Sequence, residues 1–268
     1  MTPAYALPAT TSPAPQQTTS PFPFEDRSTS YNSSTGYWET NEEPELHRSL
    51  LKGKTYRKAA AVASAGEISL LTVLPLVTEK LVLVDHSYAS MAIAMLKARL
   101  LTQLGAAKAK KLLIEGTFAD IKAKFQELAK DLPQKLRAEL EDGSYGFRQL
   151  YSNDSLRREW HFVPLDNIKL AAKRLPLVSF IHGDFADLKD QAPFDFLYTS
   201  NAFDYSGRIG RPTMESIAPL IRRGGDLLLT SGSSQALPNT EKCAGFHRIK
   251  CVKGFRTEWY HAMYQKGE

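Results

Sequence analysis

Cysteine is nearly missing from this chain, and with it goes any disulfide framework. Cys243 and Cys251 are the only two, and they lack the Cys-x-x-Cys spacing that holds zinc. The histidines His86, His161, His182 and His247 show no ligand spacing, so no metal is expected. Long apolar runs are also missing. The longest nearly unbroken one, Ile68–Val77, is about half of the ~20 residues a membrane helix needs, which speaks against a membrane span. No secretory leader pattern opens the sequence, and a reducing, cytoplasmic setting is expected. Nor is there a block of one charge. The net charge of +5 invites a nucleic-acid partner, but the basic residues are scattered: Lys108, Lys110 and Lys111; Arg157 and Arg158; Lys169, Lys173 and Arg174; Arg222 and Arg223. They read as solvated helix faces rather than a groove, so nucleic acid is not the expected partner. An anionic small substrate or a lipid headgroup remains compatible with the charge. Oligomeric state has no signature.

What is present is globular. Hydrophobic residues make up 43% and charged ones 24%, enough for the core of one domain. Residues 1–36 read as a Pro/Ser/Thr-rich tail, since the first 30 alone hold six Pro, six Thr and four Ser. Yet Phe22, Phe24, Tyr31, Tyr37 and Trp38 are aromatics a disordered tail does not need. Two readings stay open: they pin the tail to the domain surface, or they form a lid over a pocket.

Residues 37–268 carry the pattern of the domain itself. Pro44–Leu51 reads as a short helix with Asn41 as its cap. Arg57–Ala63 and Leu81–Val84 are short apolar runs, as strands buried on both faces would be. Between them Glu67–Val77 reads as helix, which Pro75 must end or kink. Tyr88–Leu104 holds good helix formers. Residues from about 112 to 175 are too long for a simple crossover and predict an inserted helical cap, broken at Pro133. Leu177–Ile181, Phe194–Thr199 and Asp226–Thr230 read as further strands, and Phe246–Val252 with Thr257–Tyr264 as an antiparallel pair. Such β–α alternation predicts an α/β fold, a doubly wound and mostly parallel sheet of seven strands.

Four segments fall where a nucleoside-binding sheet needs them. Ala63-Ser64-Ala65-Gly66-Glu67 joins a strand to a helix, and its small residues let backbone approach a ligand while the helix N-terminus favours a carboxylate. Asp85, nineteen residues after Gly66, ends the next strand, where an acid can accept both ribose hydroxyls. Gly183-Asp184-Phe185 follows the third strand, with Asp184 a candidate for the adenine amino group and Phe185 for packing on its ring. Phe194–Asn201 ends in polar groups at the carboxyl edge. Beyond it, Arg222-Arg223-Gly224-Gly225-Asp226 resembles the turn before the fifth strand of the class I methyltransferase fold.

These residues resemble one family in particular, the S-adenosylmethionine:diacylglycerol 3-amino-3-carboxypropyl transferases of betaine-lipid synthesis. Tyr37-Trp38-Glu39 with Pro44-Glu45 resembles that family's aromatic-acidic segment ahead of the first strand. Ser64-Ala65-Gly66-Glu67-Ile68 is similar to its Ser-Ala-Gly-Asp-Asn-type loop, Val84-Asp85-His86-Ser87 to its Val-Asp-Leu-Asn, and Tyr198-Thr199-Ser200-Asn201 to its Tyr-Leu-Ser-Asn. The chain departs at Glu67-Ile68 and at His86-Ser87.

The resemblance implies S-adenosylmethionine as cofactor or sole substrate, held by Trp38, Ser64, Ala65, Gly66, Asp85, His86 and Ser200, to which position in the sheet adds Asp184 and Phe185. It implies attack on the aminocarboxypropyl carbon with release of methylthioadenosine. The nucleophile is a small-molecule acceptor, or the cofactor's own amine closing to azetidine-2-carboxylate. Asn201 and Tyr205, past the fourth domain strand, and Tyr151, in the inserted cap, are the candidate catalytic residues. The alternatives are a small-molecule N- or O-methyltransferase and a non-catalytic binding module on the same fold. A base-amine methyltransferase is disfavoured, because Ser200-Asn201-Ala202-Phe203 lacks the Pro-Pro-aromatic turn of those enzymes.

Overall fold

The computed structural model describes residues 21–27, 43–141, 158–200, 213–232, 237, 244–254 and 259–267. Eight strands form one sheet: β1 (Phe24–Asp26), β2 (Tyr56–Val62), β3 (Val77–Asp85), β4 (Val178–His182), β5 (Phe194–Tyr198), β6 (Ile221–Ser231), β7 (Phe246–Lys253) and β8 (Tyr260–Lys266). Their order is β1-β4-β3-β2-β5-β6-β8-β7. Every pairing from β1 to β6 is parallel, and β8 runs antiparallel to both β6 and β7. Seven of these are the strands expected from the pattern. The eighth, β1, comes from the Pro-rich stretch, where composition signalled only a tail. Its three pairs with β4 (Phe24 with Phe180, Glu25 with Ile181, Asp26 with His182) are held by Phe22, which is buried with its ring edge-on to Phe180. Long-range burial of one aromatic outweighs local composition here.

Strand β2 alternates between two cores. Ala59 and Ala61 face one cluster with Leu81, Leu83 and Met91, while Ala60 faces the other with Val82, Val84 and Leu227. A strand buried on both faces needs no polar alternation, which is why its run is nearly all apolar. The segment after it is not the α-helix expected over Glu67–Val77. Residues Glu67–Val73 form a π-helix and Leu74–Leu76 a 3₁₀ turn. Pro75 has no N–H to continue a helical ladder, and π-helical turns concentrate at functional sites.

The crossover from β3 to β4 is the long one. Helix α2 (Tyr88–Glu115) is broken at Gly105, with φ 72° and ψ 164°, so its first half ends at the expected Leu104. Helices α3 (Phe118–Ala129), α4 (Gln134–Glu141), α5 (Arg158–Phe162) and α6 (Leu165–Arg174) follow, and each packs principally along α2. Ahead of β2, α1 (Pro44–Leu50) is preceded by Glu43 in the cap position, not by Asn41. Among the described residues no helix is long and apolar enough to cross a membrane.

A candidate cofactor site at the switch point of the sheet

Strand order reverses between β2 and β5, and in open α/β sheets the crevice at such a point, beyond the carboxyl ends, is where ligands bind. The backbone is strained on both sides of it. Ser64, after β2, and Ser200, after β5, both hold a left-handed conformation, with φ 46° and 51°. The only other such non-glycine residue among those described, Ala244, lies before β7. Strained residues paired across a crevice mark a candidate site.

The turn after β2 is fastened from several directions. Ala63 donates to the Val84 carbonyl at 2.9 Å, and Gly66 donates back to the Ala63 carbonyl at 2.9 Å. Gly66 has φ 92°, and a Cβ there would stand 3.2 Å from Ala94 Cα on α2. Only glycine meets both the conformation and the close helix contact. Beneath the turn, Lys97 of α2 donates to the Ala65 carbonyl at 2.7 Å and pairs with the Glu67 carboxylate. Both charged side chains are buried. Glu67, where the resemblance expected Asp, thus reaches back to the helix behind the loop.

Asp85 closes β3 with a buried carboxylate. Its Oδ2 accepts the Ser64 N–H at 2.9 Å and its Oδ1 the Ser87 N–H at 3.0 Å. Burial pushes its pKa up, against the opposing effects of His86, the Ser87 and Ser64 amides, and His182. Each oxygen has a second lone pair, so a carboxylate already stapling two turns can still accept from a diol. His86 is partly exposed, with Nδ1 3.8 Å from Asp85 Oδ1.

Asp184 accepts from the Phe185 N–H at 2.6 Å and begins a capping box with Asp187 for the 3₁₀ turn Phe185–Gln191. The Phe185 ring is buried with Val84, Ile181 and Leu188 in one of the two cores. Ser200 is nearly buried, and its carbonyl accepts the Thr230 N–H at 3.1 Å. The structure therefore brings Ser64, Ala65, Gly66, Asp85, His86, Asp184 and Ser200 to one edge of the sheet and places the Phe185 side chain in the core. Trp38, Tyr151, Asn201 and Tyr205 lie outside the described residues.

Sequence reasoning missed four residues here. Lys97, directly after the apolar run Met91–Leu96, was open to detection, because a lysine on a buried helix calls for a counter-charge. Asp26, Tyr88 and His182 gave no such signal. His182 Nδ1 faces Asp26 Oδ1 at 2.9 Å, its Nε2 faces the His86 carbonyl at 3.1 Å, and the Tyr88 ring stacks on it at 3.5 Å. Among the described residues no three His, Cys, Asp or Glu side chains group as a metal site.

No family model matches the chain, and no curated protein matches it. Solved structures share its shape at a distance. The rRNA methyltransferase aviRa of Streptomyces viridochromogenes has a TM-score of 0.44 and 12% identity, over 86% of this chain and 88% of its own. The ribosomal protein L11 methylase of Lactobacillus delbrueckii subsp. bulgaricus has 0.41 and 12%, over 84% and 77%. The N-methyltransferase NodS of Bradyrhizobium japonicum WM9, in complex with S-adenosyl-L-homocysteine, has 0.41 and 10%, over 84% and 87%. Likenesses this remote carry no argument about activity. Strand order, with its switch point and reversed last strand, decides the architecture. This is the class I methyltransferase fold.

Proposed function

We propose that the protein is an S-adenosylmethionine-dependent enzyme whose electrophile is the aminocarboxypropyl carbon. The observation that carries the cofactor reading is the convergence of the Ser64–Gly66 turn, Asp85 and Ser200 at the switch point, with two left-handed serines facing across it. These residues fit a nucleoside bearing an amino-acid tail. Asp85 keeps a lone pair on each oxygen for ribose, and the Gly66 turn opens a helix N-terminus toward a carboxylate. The choice of carbon rests on the resemblance at Tyr37–Glu39, Ser64–Gly66 and Ser200-Asn201.

S-adenosylmethionine supplies a sulfonium whose three carbons are each open to displacement, with methylthioadenosine leaving when the aminocarboxypropyl carbon is attacked. The protein's part is to bend the amino-acid chain so that this carbon meets a nucleophile about 3–3.5 Å away and in line. Asn201 and Tyr205 are assigned to hold the amine, and Tyr151, in the inserted cap, is the third catalytic candidate. The nucleophile, a small acceptor or the cofactor's own amine, forms its bond to carbon as the carbon–sulfur bond breaks. It loses one proton, and the sulfur leaves as a neutral thioether.

Products decide between readings. Pure protein with S-adenosylmethionine alone should yield methylthioadenosine and azetidine-2-carboxylate if the reaction is internal. Methylthioadenosine that appears only with an added small acceptor indicates transfer. S-adenosylhomocysteine as the sole adenosyl product overturns the choice of carbon and leaves a methyltransferase.

The cofactor reading has its own test in Asp85→Asn. Losing the carboxylate–diol bonds should weaken S-adenosylhomocysteine binding by about 2–3 kcal/mol, roughly 30- to 150-fold. Calorimetry on a folded variant that shows unchanged affinity removes Asp85 from the site.

A further inference from the structure

We propose that the N-terminal edge strand is a clasp on the nucleoside half of this site, with Asp26 and Arg27 as its positioning residues. The inference rests on the cofactor reading above and assigns a task to residues which that reading leaves unused. Pairing across β1, β4 and β3 puts Asp26, His182 and Asp85 side by side at the carboxyl edge. Asp26 is therefore two strands away from the acid assigned to ribose, and one imidazole lies between them.

That imidazole transmits position. His182 spans the two, with Nε2 3.1 Å from the His86 carbonyl and Nδ1 2.9 Å from the Asp26 carboxylate. The Asp26 Oδ2 accepts from the Tyr88 hydroxyl at 2.9 Å and from Lys135 at 2.5 Å. Tyr88 lies flat on the imidazole, with the ring planes 15° apart. Burial pushes the Asp26 carboxyl up, but hydrogen bonds from Lys135, His182 and Tyr88 outweigh it and hold the group below its usual range. An anion at this point thus fixes the ring, and the ring fixes the backbone of the residue after Asp85.

Arg27 does the same for the neighbouring turn. It donates to the Asp187 carbonyl at 2.7 Å and to the Asp190 carboxylate at 2.6 and 3.0 Å. That 3₁₀ turn begins at Asp184 and Phe185. Strand β1 and the residue that follows it therefore grip both turns assigned to the nucleoside, Asp85–Ser87 and Asp184–Gln191. A strand that merely covers the edge of β4 needs only its ladder and Phe22. The charged side chains reach past the ladder, Asp26 to the imidazole that meets the His86 carbonyl and Arg27 to the Asp187 carbonyl.

The test measures binding of S-adenosylhomocysteine and of methylthioadenosine to wild type, Asp26→Ala and Arg27→Ala by calorimetry, well below each melting temperature. Methylthioadenosine shares only the nucleoside half, so both ligands should weaken by the same factor, about tenfold, in either variant. A purely structural role would lower the melting temperature and leave both dissociation constants in place. Should Asp26→Ala fail to fold, Arg27→Ala carries the test, since its guanidinium is 24% exposed. Folded variants that bind methylthioadenosine within twofold of wild type overturn the clasp. Wild-type protein that binds neither ligand overturns the cofactor reading, and the clasp with it.

Discussion

Lys97→Met should cost about 3–5 kcal/mol of unfolding free energy, and adding Glu67→Leu should restore most of it. Both side chains are buried and paired. Removing one partner leaves the other as an uncompensated charge in a low-dielectric interior, and that penalty exceeds what the intact pair contributes. Lys97 also donates to the Ala65 carbonyl, so its loss strips a bond from the turn assigned to the cofactor. Replacing both partners with apolar groups of similar size removes the orphan charge. Urea unfolding of wild type, the single and the double variant measures each step. A single variant within about 1 kcal/mol of wild type would show that the pair is not desolvated as described. The double variant, once stable, should still bind cofactor more weakly, because the Ala65 carbonyl stays without its ammonium.

Acidification from pH 7 to pH 4 should cost about 3 kcal/mol through one histidine pair. His47 of α1 and His261 of β8 are fully buried, with His261 Nδ1 2.8 Å from His47 Nε2. Burial holds His261 down to about 4, against an upward pull from Glu43. It also holds His47 well below its ordinary value, helped by His261 and Arg48. In the unfolded chain an imidazole takes its proton near 6.5, whereas folded His261 does not until about 4. The unfolded state therefore binds more protons across that window, and stability falls as pH drops from about 6.5 to 4. A shift of this size is worth about 3 kcal/mol for His261 alone. His47 adds in the same direction, since two protonated rings cannot share one hydrogen bond. Urea titrations at pH 7, 5.5 and 4 measure the slope, and His47→Leu with His261→Leu should flatten it. An equal loss in that double variant would assign the acid sensitivity elsewhere.

Much of the fold was legible because its core strands are short, apolar and bounded by turn chemistry. Arg57–Ala63 and Leu81–Val84 could be read as buried strands, and both are, within a few residues. The π-helix was not legible, since Glu67–Val73 has an ordinary helical composition, and π and α turns share the same apolar pattern over two turns. The same limit hid β1. Three residues in a Pro-rich stretch have no period, and they become a strand only because Phe22 and the edge of β4 await them.

For the site, spacing along the chain dictated that Gly66 and Asp85 would meet, because consecutive parallel strands put their carboxyl ends on one edge. It dictated equally that Gly66 would be a turn glycine. What the linear order could not dictate was the second role of each polar group. Asp85 staples two backbone amides, Glu67 turns back to Lys97, and Phe185 packs into a core. Nor could it bring Asp26 to His182, 156 positions away. Local patterns record which face of a strand or helix is buried, because that repeats every few residues. Partners of buried charges are chosen only once the sheet has closed, when desolvation makes an unpaired charge too costly to keep.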